Sequence, residues 1–174
     1  MEENKNILLK SAMSYGLAMG IYWIFKYIFF IIGYTRPAFM SVYWGCTLAV
    51  PFIAYVLTKR FREDLGGSIR FSQAWRFGVM IYFFAALIVS LAHYIFFKYI
   101  VSPDYLPSMI DSMTQILKSA NVSPEAVKNL TQINITPIHM AIQGIFNNIF
   151  YGIVLSIPVA AIVQRNTGST VNKQ

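Results

Sequence analysis

Leu91-Ala92-His93-Tyr94-Ile95-Phe96-Phe97-Lys98-Tyr99-Ile100 is an apolar, aromatic run that holds one lysine. A near copy stands earlier in the chain. Tyr22-Trp23-Ile24-Phe25-Lys26-Tyr27-Ile28 matches Tyr94-Ile95-Phe96-Phe97-Lys98-Tyr99-Ile100 at five of seven positions, without a gap. Each copy sits inside a longer hydrophobic segment, and four such segments divide the chain: about 7–32, 38–57, 75–101 and 137–163. A helix needs about 20 residues to cross ~30 Å of hydrocarbon, and each segment reaches that length. Of the 174 residues, 56% are hydrophobic and 12% charged, against about 25% charged in ordinary soluble domains. The chain therefore reads as a single membrane domain. Ile7 onward is apolar for too long, and lacks the small-residue cleavage pattern, for a removed signal peptide, so the first span is expected to stay as an anchor.

The connections carry the charge. Tyr34-Thr35-Arg36-Pro37 is a tight link whose proline ends one helix and suits the start of the next. The basic loop 58–74 holds Lys59, Arg60, Arg62 and Arg70 around Gly66-Gly67, a turn signal. The long polar segment Ser102–Thr136 is helical by periodicity, with Leu106, Met109, Ile110, Met113 and Leu117 on one stripe. Ser123-Pro124-Glu125 opens a second short helix in that segment as cap, first-turn proline and early acid. The stripe is expected to pack across the mouth of the bundle.

Net charge is +7. In a soluble protein that excess would raise nucleic acid as a partner. Here the cations cluster between spans, which points to orientation and to anionic lipid at the basic loop instead. Lys5, Lys10, Lys59, Arg60, Arg62, Arg70, Arg76, Arg165 and Lys173 fall on one side and Arg36, Lys118 and Lys128 on the other, nine against three. Both termini are thus expected in the cytoplasm and the 102–136 insertion outside.

The two lysine copies lie 72 residues apart. The second and fourth spans show a parallel match: Gly45, Leu48, Pro51, Ala54 and Val56 recur as Gly152, Leu155, Pro158, Ala161 and Val163, at an offset of 107. The offsets differ by 35, the length of Ser102–Thr136. One insertion therefore reconciles both matches. The reading is two hairpins of common origin, running parallel.

Lys26 and Lys98 are the candidate site. A cation within a span is a functional candidate by default. The pair would recognise an anionic solute or headgroup, one lysine from each hairpin. The competing reading is structural. Lys26 is seven residues before Gly33, about 10 Å from the helix end at 1.5 Å per residue, so both stems can snorkel to the interface as anchors. His93 has Ile21 as its counterpart and lies outside the repeated pattern. With His139 and the single Cys46 it makes no metal set, and no disulfide is available. No Asp or Glu lies inside any span, and no H-E-x-x-H, G-x-S-x-G or phosphate-cradling loop is present. The chain is accordingly read as non-enzymatic, with no cofactor and no metal.

Small residues repeat every fourth position on two spans: Ala12, Gly16 and Gly20 on the first, and Gly144, Asn148, Gly152, Ser156 and Ala160 on the fourth. That spacing lets helices approach closely, within the chain or between copies in a homo-oligomer, with Gln143, Asn147 and Asn148 as interhelical hydrogen-bonders. Pro51 and Pro158 should bend their helices at equivalent depth.

Gly67-x-Ile69-x-Phe71-x-Gln73-Ala74-Trp75-x-x-Gly78, followed by the aromatic span and a proline-bearing outer helix with Pro103 and Pro107, resembles a family of small four-span bacterial membrane proteins, common in Bacteroidetes and grouped only as a domain of unknown function. The resemblance covers nearly the whole chain. It implies four spans and membrane location, and it implies no activity and no functional residues.

The expectation is an all-α bundle of four membrane-spanning helices with an outer amphipathic insertion. Its role is expected to be that of a structural or accessory component of the bacterial inner membrane. The alternative is a small transporter or channel subunit with a basic site at Lys26 and Lys98.

Overall fold

In a computed structural model of the protein, residues 2–131 and 135–164 are described; the C-terminal tail with Arg165 and Lys173 lies outside them, as do the side chains of residues 2–5, Lys5 included, and of Ala126, Leu130 and Thr131. The chain forms helices α1 (Glu2–Thr35), α2 (Ala38–Asp64), α3 (Phe71–Ile95), α4 (Tyr105–Ser119), α5 (Pro124–Thr131) and α6 (Pro137–Val163), and a π-helical turn, Phe96–Ile100, prolongs α3. Segments Asn6–Thr35, Ala38–Asp64, Phe71–Ile100 and Pro137–Val163 are long and apolar enough to cross a membrane. Their outward faces are apolar: Leu48 is 74% exposed, Phe52 73% and Phe146 68%. Hydrocarbon is the solvent in which such faces are not a liability.

The helices extend past the expected spans. α2 runs on to Asp64, so Lys59, Arg60 and Arg62 ride on helix rather than loop, and the connection to α3 shrinks to residues 65–70. Pro37 sits at the N-cap of α2 as the sequence suggests. Pro51 lies inside α2 and Pro158 inside α6, each removing one backbone donor from its helix.

α3 is the central element, packed against α1 on one side and α6 on the other, while α2 leans on α1 and α6. Its buried residues, Ala74, Phe77, Gly78, Ile81, Tyr82, Ala85, Ala86 and Val89, cover a wide stripe, as a helix enclosed by two neighbours requires. Rings fill the seam with α1. Tyr15 meets Phe77, Trp23 meets Tyr82, Tyr27 meets His93, and Phe30 meets Phe96, at centroid distances of 5.7, 5.6, 4.5 and 5.5 Å. Edge-to-face pairs of this kind add stabilisation beyond the area they bury. Residue numbers rise together along the seam, so α1 and α3 run parallel.

The small-residue stripes serve this packing. A Cβ on Gly16 would lie 2.6 Å from Phe84 Cβ, one on Gly20 2.8 Å from Ile88 Cδ1, and one on Gly152 2.5 Å from Tyr82 Cβ. Gly16, Gly20 and Gly152 therefore all face α3 within the same chain. Asn148 departs from its expected role: its Nδ2 donates to Gly144 O at 2.8 Å, on its own helix.

The stretch 67–78 is a joint. Gly66 and Gly67 take positive φ, +83° and +88°, a backbone that side chains resist. Ile69 and Ala74 are buried. Gln73 Oε1 accepts from Arg70 N at 3.2 Å, satisfying one otherwise orphaned donor at the start of α3. Trp75 Nε1 donates across to Ile153 O of α6 at 3.1 Å, and Gly78 lies directly under Ser156. At the same end Arg62 Nη1 donates to Val163 O, 3.1 Å, where α6 runs out of internal partners. Tyr15 Oη donates to Asp64 Oδ2 at 2.7 Å.

The insertion differs from the expectation. α4 takes α5 as its principal partner rather than lying across the bundle. Tyr105 ties it to the spans, its ring meeting Tyr34 and Phe97 at 5.9 and 6.3 Å. Leu106 and Thr114 are its buried positions, while Met113 stays exposed. Met109, Ile110 and Leu117 are half-buried, so the apolar stripe holds except at Met113, whose place a polar threonine takes.

Candidate functional site

Lys26 and Lys98 occupy different surroundings. Lys26 is half-buried between α1 and α2. Its Nζ donates to Thr47 Oγ1 at 3.3 Å and stands 5.6 and 5.3 Å from the ring centroids of Trp23 and Tyr43. Thr47 in turn donates to Tyr43 O at 2.9 Å. These are cation–π and hydroxyl contacts with no carboxylate among them. Lys98 is exposed on the π turn, donating to Tyr94 Oη at 2.9 Å and lying over the rings of Tyr94 and Tyr99. Its partners are all on its own stretch of chain, which suits an interfacial anchor.

Nor are the two lysines level. Tyr27, next to Lys26, meets His93, while Phe30 and Tyr34 meet Phe96. The position on α3 beside Lys26 is thus near His93, and Lys98 lies farther along. The hairpins differ in register as well. Lys26 bonds Thr47 in the first. The aligned partner of Thr47 is Val154, yet its neighbours Ile153 and Gly152 meet Trp75 and Tyr82, far from Lys98.

What the fold does bring together is a cavity of about 240 Å³ lined by Tyr27, Phe30, Tyr43, His93, Phe97, Met140, Gln143, Gly144 and Asn147. It lies among α1, α2, α3 and α6, toward the end opposite the basic loop. Gly144 makes room for His93: a Cβ there would fall 2.7 Å from His93 Nδ1. Gln143 and Asn147 are one helical turn apart and so share a face of α6. Sequence reasoning set His93 aside for breaking the repeat and read the amides as helix glue. The available signal was three uncharged polar side chains inside spans that hold no acid. Among the described residues no group of three or more His, Cys, Asp or Glu comes together to hold a metal ion.

A protein-family model, described as Protein of unknown function (DUF4199), matches residues 14–165. No curated protein matches the chain, and no solved structure does.

Proposed function

The chain belongs to this family of proteins of unknown function, and on that premise we propose that it is a non-catalytic structural or accessory component of the bacterial inner membrane. One observation carries the reading. The residues through which it resembles a family, Gly67, Ile69, Gln73, Ala74, Trp75 and Gly78, are occupied in a turn, a cap and interhelical packing, and Phe71 opens α3. Both termini and the basic loop face the cytoplasm in this proposal, with α4 and α5 outside, on the strength of the lysine and arginine partition. The lipid bilayer is the partner, anionic lipid meeting Lys59, Arg60 and Arg70, and nucleic acid is none. The parallel hairpin repeat belongs to the same proposal. The shared direction of α1 and α3 supports it, and the unequal registers mark divergence after duplication.

Self-association, if it occurs, uses a surface other than the Gly16, Gly20 and Gly152 stripes, which α3 fills. The α2 face with Gly45, Leu48 and Phe52 is open. Fusion of a reporter to the C-terminus tests the orientation: periplasmic activity there would end it. Mass in detergent and cross-linking through Cys46 test the oligomer.

A second reading, a small transporter or channel subunit with a basic site at Lys26 and Lys98, draws support from the open cavity near Lys26. Anion flux in proteoliposomes, compared with a Lys26→Met/Lys98→Met variant, decides it. Flux no greater than in empty liposomes removes it.

A further inference from the structure

Among the described residues six buried side-chain polar atoms have no hydrogen-bond partner: Trp23 Nε1, Tyr27 Oη, Arg62 Nε, Tyr82 Oη, Thr114 Oγ1 and Ser156 Oγ. Of their residues, only Tyr27 also lines the cavity, and Tyr27 is 4% exposed. Its hydroxyl has company. His93 makes a ring contact with Tyr27 but no hydrogen bond among the described residues, and neither do the amides of Gln143 and Asn147. Four unpartnered polar groups thus line one space beside Phe30, Phe97 and Met140: the buried Tyr27 hydroxyl, the half-buried His93 and, at the open mouth, the exposed amides of Gln143 and Asn147.

Their depth makes this unusual. His93 is seven residues before Ile100 and Gln143 six after Pro137, which puts both about 10 Å inside the ends of their spans at 1.5 Å per residue. Polar groups at that depth are costly unless something meets them, and binding pockets have this composition: apolar walls with a few convergent polar groups. Charge selects the occupant. Among the described residues the formal charge beside the cavity is Lys26, which stands over the Tyr43 ring that helps line it. The seven acidic residues are all outside the apolar stretches. Hydroxyl, amide and imidazole N–H groups donate, and a nearby ammonium favours negative charge.

We propose that this cavity binds an anionic oxygen group, a phosphate or carboxylate, held by Tyr27, His93, Gln143 and Asn147 with Lys26 as the counter-charge. It replaces the Lys26–Lys98 pairing with a Lys26–His93–amide constellation. The proposal rests only on the membrane-embedded reading. Binding without flux leaves it standing and removes only the transporter reading.

The purified full-length protein in neutral detergent is titrated calorimetrically with inorganic phosphate, acetate, a short-chain phosphatidylglycerol and, as cationic counter-probe, choline chloride. Saturable binding of phosphatidylglycerol alone identifies a lipid headgroup as the occupant. Binding of phosphate or acetate identifies a free anion. Either result supports the site. Gln143→Leu/Asn147→Leu should weaken binding by about tenfold or more, the loss of two hydrogen bonds to a charged group. Tyr27→Phe and Lys26→Met should each weaken it several-fold, and Lys98→Met should leave it unchanged. The leucine variant makes an apolar setting more apolar, and an unchanged circular-dichroism melt confirms that it is folded. The idea is overturned if no anion saturates below about 1 mM, if choline binds more tightly than every anion, if the cavity variants bind as wild type, or if Lys98→Met alone abolishes binding.

Discussion

Gly45 and Gly152 are the same residue in the sequence repeat and opposite cases in the fold. Nothing lies within 4 Å of a Cβ built on Gly45, whereas one on Gly152 would lie 2.5 Å from Tyr82 Cβ and 2.8 Å from Tyr82 Cγ. Ordinary carbon contacts stand at about 3.5–4.0 Å, so an alanine at 152 must open the α3–α6 seam by about 1 Å. Tyr82 cannot rotate clear, because the clashing atom is its Cβ, fixed by the backbone. Both substitutions gain the same helix propensity, at most about 1 kcal/mol for glycine to alanine. Subtracting one from the other cancels that gain and leaves the overpacking cost, about 1–3 kcal/mol. For a chain of this size each kcal/mol moves Tm by roughly 2–4 °C. Circular-dichroism melts in detergent should therefore place Gly152→Ala several degrees below Gly45→Ala, with Gly45→Ala at or slightly above wild type. If the two variants melt together, or if Gly45→Ala is the weaker, the argument that position 152 holds glycine because α6 must approach α3 there is wrong.

Arg62→Met removes the donor to the Val163 carbonyl and should cost about 1–2 kcal/mol, while Lys59→Met, exposed on the same helix, should stay within about 0.5 kcal/mol of wild type by the same melts. Gly67→Ala forces a Cβ onto a φ of +88° and should cost about 1–2 kcal/mol. Trp75→Phe keeps an aromatic ring but loses the bond to Ile153 O, so a stability loss near 1 kcal/mol is expected, and none would mean that the bond exchanges freely with water. Lys98→Met should leave Tm within about 2 °C, as befits an exposed side chain whose partners are its own neighbours.

The four spans were legible because length and apolarity are properties of a segment taken alone. So were Pro37 at the start of α2 and Pro124 at the start of α5, where a missing N–H costs nothing. The glycine stripes were legible as packing surface, but their partner was not: Gly16 could have met another copy as well as Phe84, and only the fold decides between them. The end of α2 was misjudged because Lys59-Arg60-Phe61-Arg62 reads as loop by charge. In the fold Phe61 is buried and stacked on Phe77 at 4.0 Å, and that one ring holds the helix for another turn and more. Met113 was placed on the buried stripe of α4, but in that turn Thr114 is the buried residue, between the half-buried Ile110 and Leu117.

The cavity was missed for a different reason. Sequence symmetry ranks residues by recurrence, so it raised Lys26 and Lys98 and discarded His93, which has no counterpart. Packing ranks them by depth and by what stands opposite. The edge-to-face contact of Tyr27 with His93 brings Lys26 level with a histidine rather than with the second lysine. The last turn of α3 then changes pitch, with Val101 N donating to Phe96 O at 3.1 Å across five residues rather than four. A π turn of this kind breaks the 3.6-residue phase on which any face assignment rests. Lys98 sits on that turn, outside, and His93 one turn before it, inside. α1 keeps a cation at its seam with α2, while α3 puts an imidazole opposite and sends its lysine to the surface, and the space between them is asymmetric. The anion proposed for that space would meet Lys26, His93, Gln143 and Asn147, and the sequence match pairs His93 with Ile21 rather than with another polar group.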